Sequence, residues 1–227
     1  QQRCLFLFPM TSTPSFMVLS DDGQWAYILD SKNDYLLRID MTSGNLENRI
    51  QLDYQPKFIT YIHSHNLLAI SSTSSQSVML LNSNTLAKVT EIPTTGVPEG
   101  LLAWDNMLYI TEGNDNSITI YDLNLGAVSS HMNVGFFPHR LFQNDNQVYV
   151  TNRDDNTISI IQPGQLGVAM QIYIDGSPQE MAAAPNSKWL YVGNKDIGGL
   201  SVIDATSNQV SGQIIFGANP QSLAVVQ

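Results

Sequence analysis

The sequence predicts an all-β protein built from five repeats, each of four short antiparallel strands, and three observations support this. Prolines recur at intervals of 42, 42, 40, 40 and 42 residues, at Pro14, Pro56, Pro98, Pro138, Pro178 and Pro220. After each proline comes an apolar run, and in most repeats a polar turn and a β-rich tetrapeptide follow it, at 27–30, 69–72, 109–112, 149–152 and 191–194. No segment keeps a 3.6-residue apolar period over a helix-length window, which disfavours helices.

The elements of one repeat follow from the first, residues 14–55. An apolar run at 16–19 predicts the first strand, and 27–30 predicts the second after a Ser-Asp-Asp-Gly turn. The alternation ending at 37–40 predicts the third strand and 48–52 the fourth. The later repeats span 56–97, 98–137, 138–177 and 178–219.

Four strands per repeat of about 40 residues are typical of the blade of a β-propeller. The alternatives are a β-sandwich, in which the proline would not recur, and a β-solenoid, whose coils are shorter. We therefore predict one propeller domain over 1–227, with five complete blades and orphan strands at 3–8 and 220–227. Either the N-terminal strand completes the last blade, or the ring is a truncated larger one, giving six or seven blades in the full protein. A five-bladed ring with frayed ends is the remaining alternative.

Composition narrows the possible functions. Only 13% of the 227 residues are charged, and the formal net charge is −10. The ten Lys and Arg residues form no basic stripe, so we expect no nucleic-acid binding. A lone cysteine, Cys4, excludes an internal disulfide, and no apolar run approaches the ~20 residues of a membrane span.

Several segments resemble a known repeat family. The segment 148–152, Val-Tyr-Val-Thr-Asn, and the run 155–161 that follows it are similar to the YVTN β-propeller repeat of bacterial periplasmic and archaeal surface-layer proteins. Residues 191–194 and 200–206 of the fifth repeat support the likeness, whereas the second repeat departs most, with Ala69 in place of the tyrosine. The resemblance implies a periplasmic, secreted or cell-surface location and a binding or scaffold role.

The recurring prolines, here called the proline ladder, also point to a candidate site. In a propeller the first strand of each blade lines the central channel, so the residue after each proline should lie at the channel mouth. These residues, here called the mouth residues, are all polar: Ser15, Lys57, Glu99, His139, Gln179 and Gln221. With the next residues Arg140 and Glu180 they form a candidate ligand site, although a wet channel also needs polar lining.

Chemistry at this site would be acid–base or cation-assisted. His139 with Glu99 or Glu180 is the candidate acid–base pair. Loops after the second strands, at 33–34, 114–116, 153–156 and 195–196, offer carboxylate and amide oxygens that suit Ca²⁺, but Asn and Asp in tight turns usually serve the turn. His63 and His65 would share one face of a strand, as half of a metal site, or simply be exposed.

Catalytic signatures are otherwise missing from the sequence. There is no G-x-S-x-G, Walker, H-E-x-x-H or C-x-x-C motif. We therefore predict no cofactor and a non-enzymatic propeller that binds a protein or glycan, or a small ligand. The alternatives are a lactonase-like hydrolase with a divalent cation at the channel mouth and a structural subunit of a cell-surface layer or filament.

Overall fold

A computed structural model describes residues 14–53, 55–184, 187–220 and 222–223. The predicted orphan strand 3–8 and most of 220–227 lie outside these residues. The described residues form five four-stranded antiparallel sheets, which confirms the predicted fold class. Each sheet corresponds to one predicted repeat, and its strands pair in chain order.

The strands of the first two blades follow the predicted order of elements. Blade one contains β1 (Phe16–Leu19), β2 (Trp25–Asp30), β3 (Tyr35–Asp40) and β4 (Leu46–Gln51). Blade two contains β5 (Pro56–Ile62), β6 (Leu67–Ser72), β7 (Ser77–Asn82) and β8 (Lys88–Pro93).

The other three blades repeat this pattern. Blade three contains β9 (Pro98–Trp104), β10 (Met107–Glu112), β11 (Ser117–Asp122) and β12 (Ala127–Asn133). Blade four contains β13 (Pro138–Asn144), β14 (Gln147–Asn152), β15 (Thr157–Ile161) and β16 (Val168–Tyr173). Blade five contains β17 (Pro178–Ala183), β18 (Trp189–Asn194), β19 (Gly199–Asp204) and β20 (Gln209–Ile215).

The helical residues that the structure describes are two single 3-10 turns, His63–His65 and Gly113–Asp115. The first of these corrects the prediction that His63 and His65 share a strand face. The chain there leaves β5 and turns, and Asn66 takes a left-handed conformation that ends the turn. The His63 imidazole contacts the carboxylate of Asp21.

The chain divides into two compact units, Gln1–Asn106 and Met107–Gln227, here called the N-terminal and C-terminal units. Within the N-terminal unit β1 lies beside β5, and β5 beside β9; within the C-terminal unit β13 lies beside β17. In both units the tetrapeptide tyrosine of one blade reaches the next. Tyr27 donates a hydrogen bond to the Ser83 carbonyl (3.1 Å), and the Tyr149 hydroxyl lies 2.8 Å from Asn208 Oδ1.

Apolar strand faces form the core of each unit. In the N-terminal unit Tyr27, Leu29 and Leu36 of blade one pack against the buried apolar residues of blade two. In the C-terminal unit Tyr149 and Ile158 of blade four pack against those of blade five. This burial between neighbouring sheets supplies the main stabilisation that a single four-stranded sheet lacks.

The Asp-Gly turn predicted in blade one is held by its own side chains. The Ser20 hydroxyl donates to Asp22 Oδ1 (2.6 Å), and the Gln24 amide donates to the same oxygen (2.9 Å). The hydrogen bond from Ser20, followed by that from Gln24, lowers the pKa of Asp22. Gly23 completes the turn at a φ of +65°, which favours glycine.

Candidate functional site

In blades two, four and five the strand register places the start of the first strand level with the end of the second. Pro56 pairs with Ser72, Pro138 with Asn152, and Pro178 with Asn194. The residue after each of these prolines and the loop after the second strand therefore lie at one end of the blade. We call this the proline end.

The N-terminal unit contains three mouth residues. Ser15 is exposed, and its hydroxyl lies 2.6 Å from that of Ser31. Lys57 and the buried Glu99 occupy equivalent positions in blades two and three, and their Nζ and Oε2 atoms are 3.3 Å apart. These two mouth residues therefore form an ion pair between neighbouring first strands.

The C-terminal unit contains His139, Arg140, Gln179 and Glu180. His139 and Arg140 are buried, and Arg140 Nε donates to Glu180 Oε1 at 2.8 Å. The Gln179 amide donates to Ser177 Oγ at 3.0 Å. Because Glu180 neutralises Arg140, its carboxylate serves the ion pair, which weakens its candidacy as the acid–base partner of His139. Gln221 lies outside the described residues.

A hydroxyl group links each of three second strands to the following first strand. Ser71 donates to the Glu99 carbonyl (3.5 Å), Thr111 to that of His139 (3.2 Å) and Thr151 to that of Gln179 (3.1 Å). All three bonds span 28 residues, so they are one feature repeated blade by blade. The backbone of these mouth residues is therefore fixed by the preceding blade.

The loops predicted to offer Ca²⁺ ligands have a structural role of their own. Asp34, Asn116 and Asn156 take left-handed conformations with φ of 58°, 55° and 54°. Asn and Asp tolerate this conformation better than most residues, so these positions serve the turns.

An exposed aromatic residue that was not predicted from the sequence lies on the loop between blades three and four. Phe136 is 61% exposed, in a position held by glycine in the loops before blades three and five. Its amide donates to Asp155 Oδ2 (3.4 Å), and its carbonyl accepts from the Asp154 amide (3.2 Å). Tyr173, 77% exposed, ends β16 at the same end of blade four, where it pairs with Thr157.

The neighbouring Phe137 fixes this loop further. Its amide donates to Asn116 Oδ1 (3.0 Å), and its carbonyl accepts from the Arg153 amide (3.0 Å). Its φ is +52°, a strained conformation for a bulky side chain, and the Arg153 guanidinium lies 3.9 Å from the centre of its ring. A signal existed in the sequence, because 136–137 is a Phe-Phe pair just before a ladder proline.

A second group that sequence reasoning missed lies in blade three. Glu112, Asp115 and His131 have side-chain ligand atoms within 4.8 Å of one another. Glu112 ends β10, Asp115 lies in the 3-10 turn after it, and His131 lies on β12. Over the described residues, no helix is long and apolar enough to cross a membrane.

Solved structures of β-propeller proteins resemble the chain over most of its length. Streptogramin B lyase matches with a TM-score of 0.81 at 16% identity, over 95% of this chain and 74% of that one. U3-55K matches with a TM-score of 0.80 at 12% identity, over 91% and 65%. The dihydro-heme d1 dehydrogenase NirN matches with a TM-score of 0.64 at 12% identity, over 92% and 58%.

The chain thus spans less than two thirds of the length of U3-55K and of NirN. No known family profile matches the sequence, and no curated protein matches it either. The YVTN assignment therefore stays a prediction. Identities this low indicate a shared fold alone, and propellers host many functions. The sheets and these similarities together identify the chain as a β-propeller protein.

Proposed function

We propose that this protein is a non-enzymatic binding or scaffold propeller that acts in the periplasm or at the cell surface and holds a protein partner. The surface proposed for the partner is the proline end of blade four with its preceding loop. The main support for this proposal is that Phe136 is an exposed aromatic side chain on a backbone held by hydrogen bonds.

Rigid presentation is what makes Phe136 suited to binding. An exposed aromatic ring is a large apolar contact that costs a free protein some solubility. Held in place, it loses little conformational entropy on binding, so more of its burial energy becomes affinity. The strained backbone of Phe137 fits this reading, because such strain tends to persist where the surrounding structure imposes it for a purpose.

The surroundings of Phe136 favour a protein partner. Tyr173 adds a second exposed aromatic ring at the same end of the blade, and Arg153 and Asp154 supply charges of both signs beside the loop. Aromatic side chains with a mixed polar rim are typical of binding hot spots in protein interfaces. A propeller that contacts a glycan or a small ligand through the mouth residues is the alternative.

The lactonase-like alternative has less support. That hydrolase would need free carboxylates and a cation at the channel mouth, whereas Glu99 pairs with Lys57 and Glu180 with Arg140. Among the described residues the group suited to a cation, Glu112–Asp115–His131, includes none of the predicted mouth residues.

Site-specific photocrosslinking in cells of the source organism tests the proposal. A photoreactive phenylalanine analogue at position 136 should capture a defined protein. The same analogue at Leu166, which is 92% exposed in the loop between β15 and β16 at the opposite end of blade four, should not. Equal capture from both positions, or none from position 136, would contradict the proposal.

Substitutions then distinguish the contribution of the aromatic side chains from that of the loop conformation that positions them. We expect Phe136→Ser and Tyr173→Ser to weaken binding of the captured protein about tenfold or more, with Leu166→Ser as the silent control. Gly135→Ala should also weaken it, because a methyl group there would lie 2.5 Å from Asn152 Nδ2 and Asp155 Oδ2 and displace the loop. Capture of glycan in place of protein would favour the alternative.

A further inference from the structure

Five side chains of blade three form one connected polar network near the proline end of the C-terminal unit. Glu112 ends β10, Asp115 lies in the 3-10 turn that follows, Ser117 and Thr119 lie on β11, and His131 lies on β12. Glu112 is fully buried, whereas the side chains of Asp115 and His131 are 44% and 37% exposed. The network therefore has a buried floor and an open side.

Hydrogen bonds orient the members of this network. Thr119 Oγ1 donates to Glu112 Oε1 at 2.6 Å and lies 3.0 Å from His131 Nδ1. Ser117 Oγ donates to Asp115 Oδ2 at 3.0 Å. His131 Nε2 lies 3.4 Å from that same Asp115 oxygen.

These contacts determine which imidazole nitrogen is available. A hydroxyl has a single hydrogen, and Thr119 gives it to the Glu112 carboxylate, which can only accept. Thr119 must therefore accept from His131, which places a proton on Nδ1 and leaves Nε2 as the basic nitrogen. The lone pair of Nε2 then lies 3.4 Å from the Asp115 carboxylate oxygen, and a metal ion between these two acceptors would satisfy both.

Blade four has the same arrangement of side chains, but with groups that are weaker metal ligands. At the positions of Glu112 and His131 it has Asn152 and Gln171, while Asp155 matches Asp115. Thr157 donates to Asp155 Oδ2 (3.2 Å), just as Ser117 donates to Asp115. Blade three thus replaces two neutral amides with a carboxylate and an imidazole in one otherwise equivalent frame.

We propose that Glu112, Asp115 and His131 bind a divalent transition-metal ion of the Zn²⁺ class. Imidazole nitrogen and carboxylate oxygen are both zinc ligands at about 2.0–2.2 Å, so neighbouring ligands of a tetrahedral ion lie about 3.3 Å apart. The separation of 3.4 Å between His131 Nε2 and Asp115 Oδ2 agrees with this. Ca²⁺ takes oxygen ligands, so an imidazole disfavours it here.

The rest of the network supports this role. Zinc-bound histidines usually donate their second N–H to an oxygen that fixes the ring, and Thr119, itself bonded to Glu112, is in that position for His131. The open side at Asp115 and His131 gives the ion an entry path and leaves the fourth coordination position to water. The site goes beyond the proposed partner binding and does not depend on it.

Calorimetric titration of the chelator-treated full chain with ZnCl₂ tests the inference. We expect one Zn²⁺ per chain, with binding weakened at least 100-fold in Glu112→Gln, Asp115→Asn and His131→Gln. Co²⁺ in place of Zn²⁺ should give the visible absorption of a tetrahedral site in the wild type alone. Circular dichroism and thermal unfolding establish that each variant is folded.

Matched variants guard against zinc bound elsewhere. Asp155→Asn removes the corresponding carboxylate of blade four, and His63→Asn removes an exposed imidazole; both should bind Zn²⁺ as the wild type does. The proposal is overturned if the wild type binds no Zn²⁺, or if folded Glu112→Gln and His131→Gln keep its affinity. It is also overturned if Asp155→Asn reduces the affinity as much as Asp115→Asn.

Discussion

Blades three and four have equivalent buried hydroxyl groups on their third strands, but these groups surround a carboxylate in blade three and an amide in blade four. In blade four the Asn152 amide donates to Thr157 and Ser159, both at 2.9 Å. In blade three the Glu112 carboxylate instead accepts from the hydroxyl of Thr119, which matches Ser159. The hydroxyl group keeps its place while the direction of this hydrogen bond reverses.

The difference shows why Ser and Thr suit these positions. A hydroxyl both donates and accepts, so it satisfies a buried amide or a buried carboxylate without moving. Burial of a charged group without such partners would cost several kcal/mol. A blade of this design can therefore change between a neutral and a charged interior with two substitutions.

The largest expected effect on stability tests whether the hydrophobic cores beside these hydroxyl groups are equivalent in blades three and four. Ile118 and Ile158 are both fully buried, one residue along β11 and β15 from Ser117 and Thr157. Ile118→Ala and Ile158→Ala should each lower the free energy of unfolding by about 2–5 kcal/mol, because each leaves a cavity. Urea denaturation measures both, and costs differing by more than about 2 kcal/mol would break the comparison.

A smaller effect on stability tests the difference in charge between the buried groups of the two blades. Thr119→Val removes a hydrogen bond to a carboxylate and should cost about 1.5–3 kcal/mol in metal-free buffer, because bonds to charged groups are stronger. Ser159→Ala removes the matching bonds to neutral amides and should cost about 0.5–1.5 kcal/mol. The same urea measurement would contradict the comparison if Ser159→Ala proved the costlier change.

The smallest effect concerns the tyrosine that blade four places on its neighbour. Tyr149→Phe should cost about 0.5–1.5 kcal/mol at neutral pH, since the hydroxyl loses its contacts with Gln147 and Asn208. Burial, with a smaller contribution from Asp145, raises the pKa of Tyr149 to about 12. The folded state thus retains a proton that the unfolded chain loses near pH 10.

The pH dependence that follows has a definite sign. The stability that the neutral Tyr149 confers is complete below pH 10 and is lost as the pH rises towards 12. Tyr149→Phe lacks this loss, so its deficit relative to the wild type should shrink between pH 9 and pH 12. Denaturation midpoints across that range test it, and parallel curves for the two proteins would exclude the shift.

Most of the fold was predictable because the proline ladder repeats the same local signals. Alternating apolar residues and turn signals identified four strands in each repeat, and the structure has four. The ion pair Arg140–Glu180 joins two residues 40 apart, one repeat length, so the two occupy equivalent positions in blades four and five. How the N- and C-terminal segments complete the ring is a separate prediction that concerns residues outside those described.

The network around Glu112 could not be derived by counting along the strands. Tyr121 pairs with Val128 but Ile120 pairs with Ser130, so a bulge inserts one extra residue into β12. Without that residue His131 would pair opposite Ile118 and face the other side of the sheet. Comparing repeats would have given a hint, since blade three departs from the amides of blade four at two positions at once.

The hydroxyl links between blades have a consequence for how this protein can change. Ser71, Thr111 and Thr151 bond to the backbone carbonyls of Glu99, His139 and Gln179, whatever side chains those residues carry. These three bonds are thus independent of side-chain identity. Evolution, or a randomised library, could change the side chains at these positions while the bonds that hold the backbone remain, which makes this face a natural place to acquire new specificity.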